Sequence, residues 1–248
     1  MAAPTQIDLV LVIDTSVSMR PCIELLKQHL RELIQPVQGQ AAKLRFGLVG
    51  LSASAREDGI VYRTQTLAGD SESVGWLYGN STQAEFLSDN TAKVIERLDS
   101  LTVSGDEDNL LALDIALDHP FGPVASTKRV VALFSDEKLE AGVQRNASNA
   151  LIPRLIEKLH ARRIKLFCAM PYSNAAQQLS EANGSEIEDL AGGQGLASVD
   201  FKTLLGQMGK SISVSSLQGG LEERYERALF GQDKWVSTQG GWNDSDGA

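Results

Sequence analysis

One stretch near the amino terminus decides the fold: Ile7-Asp8-Leu9-Val10-Leu11-Val12-Ile13-Asp14-Thr15-Ser16-Val17-Ser18. The run from Ile7 to Ile13 is almost continuously apolar, which is typical of a strand buried on both faces of a parallel sheet. The strand should end at Asp14, because an amphipathic helix begins a few residues later. One carboxylate and two hydroxyls would then lie on a tight turn at the carboxyl end of a strand, the edge where open α/β sheets bind ligands.

The polar side chains at alternate positions of that turn are Asp14, Ser16 and Ser18, and all three offer oxygen ligands. Oxygen ligands suit a hard divalent cation, and Mg²⁺ usually keeps several waters while it binds only one or two carboxylates. The turn therefore predicts a site for Mg²⁺ (or Mn²⁺).

The residues DTSVSM at 14–19 resemble the DxSxS signature of the von Willebrand factor A (VWA) family, with which that family opens its metal-ion-dependent adhesion site (MIDAS). The resemblance covers roughly residues 7–215, by the usual length of a domain. It implies a second ligand loop, commonly with a Thr, and an Asp at the end of a later strand. Residues 129–136 resemble that strand, which makes Asp136 the ligand of the third loop.

The second loop of the MIDAS would be residues 104–109, which lead into an apolar helix at 110–117. This loop departs from the commonest pattern, because it carries Asp106, Glu107 and Asp108 where a Thr is usual. Some family members use a carboxylate there, and the sequence leaves open which acid contributes. The candidate metal ligands are Asp14, Ser16, Ser18, Asp106, Asp108 and Asp136.

Strand and helix patterns alternate along the chain, which predicts an α/β fold with helices on both faces of a doubly wound, mostly parallel sheet, the Rossmann-like arrangement of VWA domains. The first helix should run from about Met19 to Ile34. Strands are predicted at 44–51, 129–134 and 164–170, and helices around 92–101, 110–117, 152–159 and 201–212. Ser88 or Asp89 should cap the helix at 92–101, and Asp200 the last helix. Residues 52–83 give no clear prediction.

Two parts of the chain are predicted, a VWA domain over residues 1–217 and a C-terminal segment over 218–248. Residues 221–230 have the spacing of a short amphipathic helix, which should pack on the domain through Leu221, Tyr225, Leu229 and Phe230. Trp235 and Trp242 follow in a polar tail. These tryptophans belong either to a disordered terminus or to a segment that docks a partner.

Composition excludes several classes of protein. A net charge of −9 and a pI near 4.9 argue against a nucleic-acid-binding surface and against attraction to anionic membranes. No run approaches the ~20 apolar residues of a membrane span, and the N-terminal MAAPTQ lacks the pattern of a secretory signal. Cys22 and Cys168 are typical of small buried residues in a reducing compartment. We therefore expect a cytoplasmic protein.

The sequence favours a metal-dependent protein–protein interaction module, in which a carboxylate of the partner completes the coordination of the MIDAS cation. Resemblance to bacterial cytosolic VWA proteins implies an adaptor that works beside an AAA+ ATPase of the MoxR type. The alternatives are a metal-dependent hydrolase that uses the same site and a structural VWA domain with a vestigial site.

Catalysis is not expected, because Ser16 has no neighbouring His or Lys in the sequence that would make it a nucleophile. The three histidines, His29, His119 and His160, show no metal-ligand spacing. Each is expected at a surface or an interface between elements. A phosphotransferase-type aspartate is disfavoured too, because that chemistry needs a second acid near Asp14, and the residue two positions on is Ser16.

Overall fold

A computed structural model of the protein describes residues 6–38, 43–57, 59–71, 86–142, 149–183, 186–189 and 200–217. Within these residues, seven strands form one sheet in the order β4-β3-β2-β1-β5-β6-β7. The strands are β1 (Gln6–Asp14), β2 (Lys43–Arg56), β3 (Gly59–Thr66), β4 (Gly69–Ser71), β5 (Thr127–Phe134), β6 (Ile164–Met170) and β7 (Glu186–Asp189). The pairings from β2 through β1, β5 and β6 to β7 are parallel, whereas β3 pairs antiparallel with β2 and β4. The predicted doubly wound, mostly parallel sheet is confirmed.

Helices cover both faces of this sheet. They are a 3₁₀ turn (Val17–Met19), α1 (Arg20–Gln38), α2 (Thr91–Asp99), α3 (Asn109–Leu117), α4 (Ile152–Ala161), α5 (Asn174–Asn183) and α6 (Phe201–Leu217). Buried side chains of α1, α2 and α6 form one hydrophobic core against the sheet, and those of α3, α4 and α5 form a second core on the opposite face.

The central strand β1 contributes to both cores, which explains its continuous hydrophobicity. Leu9 and Leu11 pack into the core of α1, whereas Val10 and Val12 pack into the core of α3. Successive side chains of a strand point to opposite faces, so a strand covered on both sides needs apolar residues at every position. Each such side chain contributes roughly 1.5–3 kcal/mol by leaving water.

Asp8 is the polar residue within this apolar run, and the structure pairs its charge. Arg45 on β2 donates from Nε to Asp8 Oδ1 at 2.8 Å and from Nη2 to Asp8 Oδ2 at 2.7 Å. The backbone N–H of Gly122 also donates to Asp8 Oδ2, at 2.7 Å. A buried carboxylate is tolerated when it is paired and hydrogen-bonded in this way. The contacts fasten the amino-terminal edge of the sheet, opposite the edge at Asp14.

The end of β2 and the whole of β3 and β4 lie in residues 52–83, for which no structure was predicted. Strand β2 continues past the predicted end at 51 to Arg56, and β3 returns from Gly59. Gly59 has a φ of +135°, a backbone conformation that side-chain-bearing residues rarely adopt. The dipeptide Asp58-Gly59 is a strong hairpin signal when it separates two strand-like runs, and it was the overlooked clue.

Two predicted helix caps have different outcomes. The cap of α2 is Asn90, not Ser88 or Asp89, and its side chain accepts hydrogen bonds from Ala92 N and Lys93 N. The helix begins at Thr91, so the residue in the capping position is Asn90, one residue after Asp89. Asp200 does cap α6, because its Oδ1 accepts from Thr203 N at 3.1 Å.

His119 lies at an interface between elements, which is one of the two positions expected for it, and not at the surface. The residue is 0% exposed and its ring lies 5.7 Å from that of Phe86 and 6.2 Å from that of Phe121. Gly47 makes room for it, since a Cβ there would lie 2.9 Å from the imidazole. His119 follows the end of α3, so helical periodicity gave no indication of the face it would occupy.

Cys22 and Cys168 are both buried and free, as predicted. Among the described helices, none combines the length and the apolar character that a membrane crossing requires. The predicted C-terminal segment, with its helix at 221–230 and both tail tryptophans, lies outside the described residues.

The connections that leave β1 and β5 go to opposite faces of the sheet. The chain leaves β1 for α1 on one face of the sheet, and it leaves β5 for α4 on the other face. The strand order therefore reverses direction between β1 and β5, which creates a crevice at that edge. Asp14 ends β1 and Asp136 follows β5, so two of the predicted ligands lie at this switch point.

Candidate metal site

Backbone hydrogen bonds hold the turn after β1 in shape. Thr15 N donates to Leu51 O at 3.2 Å, and Thr15 O accepts from Ser104 N at 2.9 Å, so the turn is tied to β2 and to the second loop. Met19 N donates to Ser16 O at 3.2 Å and closes the 3₁₀ turn. This geometry places the side chains of Ser16 and Ser18 on the same turn.

Four of the predicted ligands are joined by direct hydrogen bonds. Asp14 Oδ1 accepts from Ser16 N at 2.7 Å, and the hydroxyls of Ser16 and Ser18 lie 3.1 Å apart. The hydroxyl of Ser18 then donates to Asp136 Oδ1, also at 3.1 Å, across the gap between the first and third loops. The structure therefore brings together Asp14, Ser16, Ser18 and Asp136.

Asp14 is the buried end of this group, at 1% exposure. Burial raises the pKa of Asp14 to about 6, because it removes water from the carboxylate. Hydrogen bonds from Ser16 and Ser135 oppose that rise, and the negative charge of Asp136 adds to it. The ionised form of Asp14 is thus costly in the protein alone, and a nearby cation would offset that cost.

Two residues that were not predicted as part of the site hold Asp14 in place through hydrogen bonds. Ser135, fully buried, donates from its hydroxyl to Asp14 Oδ2 at 2.7 Å. Asn109 Nδ2 donates in turn to Ser135 Oγ at 2.8 Å. Both residues are adjacent in sequence to predicted ligands, Asp108 and Asp136, and that position was the available signal.

The second-loop acids have contacts of their own. Asp106 forms an antiparallel bridge with Ala53 through two backbone hydrogen bonds, and its side chain is exposed. Asp108 caps α3, where its Oδ1 accepts from Leu111 N at 3.3 Å, and its Oδ2 accepts from the Tyr62 hydroxyl at 3.3 Å. These hydrogen bonds join Asp106 to Ala53, and Asp108 to Leu111 and Tyr62. The role of the two acids as metal ligands stays a prediction.

Glu107 brings further negative charge to the gap between the second and third loops. Burial raises the pKa of the Glu107 carboxyl, and the charges of Glu137, Asp106 and Asp136 raise it further. Carboxylates this close repel one another, and together they produce a negative field at the rim of the site. That field attracts cations to the edge of the sheet.

Cys22, a buried residue of α1, lies near enough to Asp136 and Asp14 for their charges to act on its thiol. Burial raises the pKa of its thiol to about 12, and the charges of Asp136 and Asp14 act in the same direction. No sequence pattern indicated that a cysteine lies near the site. A thiol that stays protonated at neutral pH is a poor nucleophile, so the finding does not favour catalysis.

The chemistry of the donors fits a small, hard cation. In the part of the chain that the structure describes, no group of three or more His, Cys, Asp or Glu side chains is arranged to hold a metal ion. A cation at this edge would therefore depend on the hydroxyls of Ser16 and Ser18, on one or two carboxylates, and on water. Mg²⁺ accepts that combination, because it retains several waters in most protein sites.

No family model and no curated protein matches the chain in sequence. Solved structures do match its fold. A von Willebrand factor type A protein from Catenulispora acidiphila aligns with a TM-score of 0.52 and 16% identity, over 84% of this chain and 43% of that one. The SpRpn10 VWA domain aligns with a TM-score of 0.55 and 13% identity, over 84% of this chain and 98% of the domain.

A third structure is similar in fold and itself contains a metal. Proximal thread matrix protein 1 from the mussel byssus, solved with zinc in its MIDAS motif, aligns with a TM-score of 0.50 and 14% identity, over 85% of this chain and 48% of that one. This chain spans less than half the length of the mussel and Catenulispora proteins but nearly the whole SpRpn10 domain. The fold of the chain is therefore that of a VWA domain.

Proposed function

We propose that this protein binds one divalent cation, Mg²⁺ or Mn²⁺, at the carboxyl ends of β1 and β5 and uses it to dock an acidic residue of a partner protein. The carrying observation is the hydrogen-bonded series from Ser16 through Ser18 to Asp136, with the carboxylate of Asp14 directly behind it. These are the residues that the MIDAS resemblance assigns to the first and third loops.

The electrostatics of the site support the cation. The negative charge of Asp136 adds to the rise in the pKa of Asp14, and Glu107 and Glu137 bring further negative charge nearby. A bound cation would stabilise the ionised carboxylates and would be attracted by the field of the rim. The zinc-occupied MIDAS of the mussel protein supports the proposal, because it is an instance of metal binding on the same fold.

The small number of donors supports docking. Ser16, Ser18 and Asp136 supply few ligands for a cation that prefers six, so several positions would be filled by water. The cation supplies a Lewis-acidic position at which a carboxylate from the partner replaces one of these waters. Ser18 is exposed, and Val17 beside it is 61% exposed, so a partner surface has access to this edge.

For the partner, we propose a protein that presents an Asp or Glu, with a MoxR-type AAA+ ATPase or one of its associated factors as the class that the sequence resemblance favours. The compartment that fits this partner is the cytoplasm. In this role the domain is an adaptor, not an enzyme. The hydrogen bonds of Asp14 and Ser18 run to serine hydroxyls, to the backbone N–H of Ser16 and to the carboxylate of Asp136.

Affinity capture with the purified protein tests the docking function. A genuine partner should be retained in Mg²⁺, released by excess chelator, and lost when Asp14→Ala replaces the wild type. Asp89→Ala is the matched control. Asp89 is an exposed aspartate that pairs with Lys43, the first residue of β2, so it lies at the opposite edge of the sheet from Asp14. A partner that stays bound in excess chelator would contradict the proposal.

A further inference from the structure

Ser135 occupies the centre of the contacts that join the three loops of the site. It directly follows β5 and is 0% exposed. Its hydroxyl makes three hydrogen bonds: to Asp14 Oδ2 at 2.7 Å, from Asn109 Nδ2 at 2.8 Å, and from Glu137 N at 3.0 Å. One buried side chain therefore connects the first, second and third loops.

The directions of these hydrogen bonds follow from counting protons. A serine hydroxyl has one proton to donate and two lone pairs that accept. The amide group of Asn109 and the backbone N–H of Glu137 are both donors, so they occupy the two lone pairs of Ser135 Oγ. The single proton of Ser135 is then directed at Asp14 Oδ2.

Asp14 is consequently held at both carboxylate oxygens. Ser16 N donates to Oδ1 and the Ser135 hydroxyl donates to Oδ2, each at 2.7 Å. Hydrogen bonds to a carboxylate are among the stronger ones, and two of them fix both the position and the plane of the group. They also favour the charged form of Asp14, the form that attracts a cation.

We propose that Ser135 is a positioning residue for the cation, with its hydroxyl oriented by Asn109 so that it donates to Asp14. This inference rests on the proposed function and deepens it, because it assigns roles to two residues outside the MIDAS motif. Removing a residue that hydrogen-bonds to a metal ligand, without itself touching the metal, commonly lowers metal affinity by about 10–100-fold.

Titration of the purified protein with Mn²⁺, followed by electron paramagnetic resonance, tests the proposal without an identified partner. Ser135→Ala should raise the Mn²⁺ dissociation constant by about 10–100-fold, since it deletes the donor to Asp14. Ser135→Thr, which keeps the hydroxyl, should restore most of the affinity. Asn109→Ala should give a smaller loss, because Glu137 N still orients Ser135.

Ser173→Ala is the matched control. Ser173 is also a buried serine at the carboxyl edge of the sheet, where it follows β6. Its hydroxyl accepts a hydrogen bond from Ala176 N, in the first turn of α5, at 3.2 Å. Both alanine variants should lower the thermal unfolding midpoint, but only Ser135→Ala should change Mn²⁺ affinity. Should Ser135→Ala not fold, the Asn109→Ala titration decides the outcome.

Two negative results are distinguishable. If the wild type binds Mn²⁺ and both Ser135→Ala and Asn109→Ala bind it equally well, the positioning role is wrong and the metal site stands. If the wild type itself binds no Mn²⁺, the metal site and the positioning role are both wrong.

Discussion

At the scale of single residues, Asp14 shows why the site needs a counter-charge. Its carboxylate is buried, accepts two hydrogen bonds, and lies near the charge of Asp136, so its pKa of about 6 reflects a balance that favours the neutral form more than usual. Ser18 differs from it, because it is a neutral, exposed hydroxyl. The two residues should therefore contribute unequally to metal binding.

Asp14→Ala should abolish measurable Mg²⁺ binding without unfolding the domain, because it removes an anionic ligand and also the repulsion from Asp136. Ser18→Ala should weaken Mg²⁺ binding by about tenfold, equivalent to about 1.4 kcal/mol, because a hydroxyl holds a hard cation less strongly than a carboxylate does. Isothermal titration calorimetry with Mg²⁺ compares the two variants, and thermal unfolding monitors their folding. Equal losses in both would contradict this ranking.

His119 should make the stability of the domain depend on pH. Burial, and secondarily the charge of Arg162, lower the pKa of His119 from 6.5 to about 3 in the folded state. Between these values the unfolded chain binds the extra proton, so the free energy of unfolding falls as the pH drops from 6.5 toward 3. This single group contributes a slope of at most about 1.4 kcal/mol per pH unit.

Urea unfolding at pH 7, 6 and 5 measures that slope in the wild type and in His119→Gln, which cannot titrate. Carboxylates also titrate between pH 7 and 5, but they are the same in both proteins, so their contribution to the slope cancels in the comparison. The free energy of unfolding should fall less steeply with acid in the variant. Identical slopes would show that His119 does not stay neutral in the folded state.

At the scale of secondary-structure elements, the predictable parts are those whose burial is regular. Strands β1 and β6 were predicted because both faces are covered and their residues are continuously apolar. Helix α1 was predicted because its buried side chains recur at helical spacing. The short strands β4 and β7 have no such pattern, since three or four residues are too few for a period to be visible.

Helix α6 offers a paired test of how closely the elements pack. A Cβ added at Gly206 would meet no atom within 4 Å, whereas one added at Gly209 would lie 2.5 Å from the backbone oxygen of Leu33 in α1. Gly206→Ala should stabilise the domain by roughly 0.5–1 kcal/mol, because alanine has the higher helix propensity. Gly209→Ala should destabilise it by roughly 1–3 kcal/mol, because α1 and α6 must move apart.

Chemical denaturation of the two variants and the wild type gives both free energies. The two substitutions are chemically identical and lie three positions apart in one helix, so each serves as the control of the other. If Gly209→Ala were as stable as Gly206→Ala, the close approach of α6 to Leu33 would be wrong.

At the scale of the whole molecule, the topology explains how much of the site was predictable. Asp14 and Asp136 are far apart in sequence, but each lies at the carboxyl end of a strand, and the doubly wound order makes those strands neighbours. Ser135 and Asn109 were missed because their roles depend on hydrogen bonds between loops, which have no sequence period. The second-loop acids stayed ambiguous for a related reason, since capping a helix and binding a metal favour the same residue types.

The positions of exposed apolar side chains also favour docking at the carboxyl ends of the strands, the sheet edge of the proposed metal site. Among the described residues, the exposed large hydrophobic ones are Val17, Val124 and Tyr172. Val17 and Tyr172 follow the carboxyl ends of β1 and β6, whereas Val124 precedes β5 at the opposite edge. A partner whose carboxylate reaches the cation should cover Val17, which lies between Ser16 and Ser18.

Val17→Gln should therefore lower the affinity for a captured partner by about tenfold, as expected for losing the burial of an apolar side chain. Its Mg²⁺ affinity should not change, because the substitution is neutral and removes no oxygen ligand. Val124→Gln is the matched control at the far edge of the sheet, and it should leave both affinities unchanged. Equal partner binding by Val17→Gln and the wild type would place the docking surface elsewhere.

The most direct test of the metal site is a crystal structure of the protein soaked in Mn²⁺, with an anomalous difference map. We predict one strong peak at the switch point, within roughly 2–2.3 Å of the hydroxyl oxygens of Ser16 and Ser18 and with the carboxylates of Asp14 and Asp136 beside it. A map without a peak there, or with its peak among Asp106, Glu107 and Glu137, would contradict the proposed metal site.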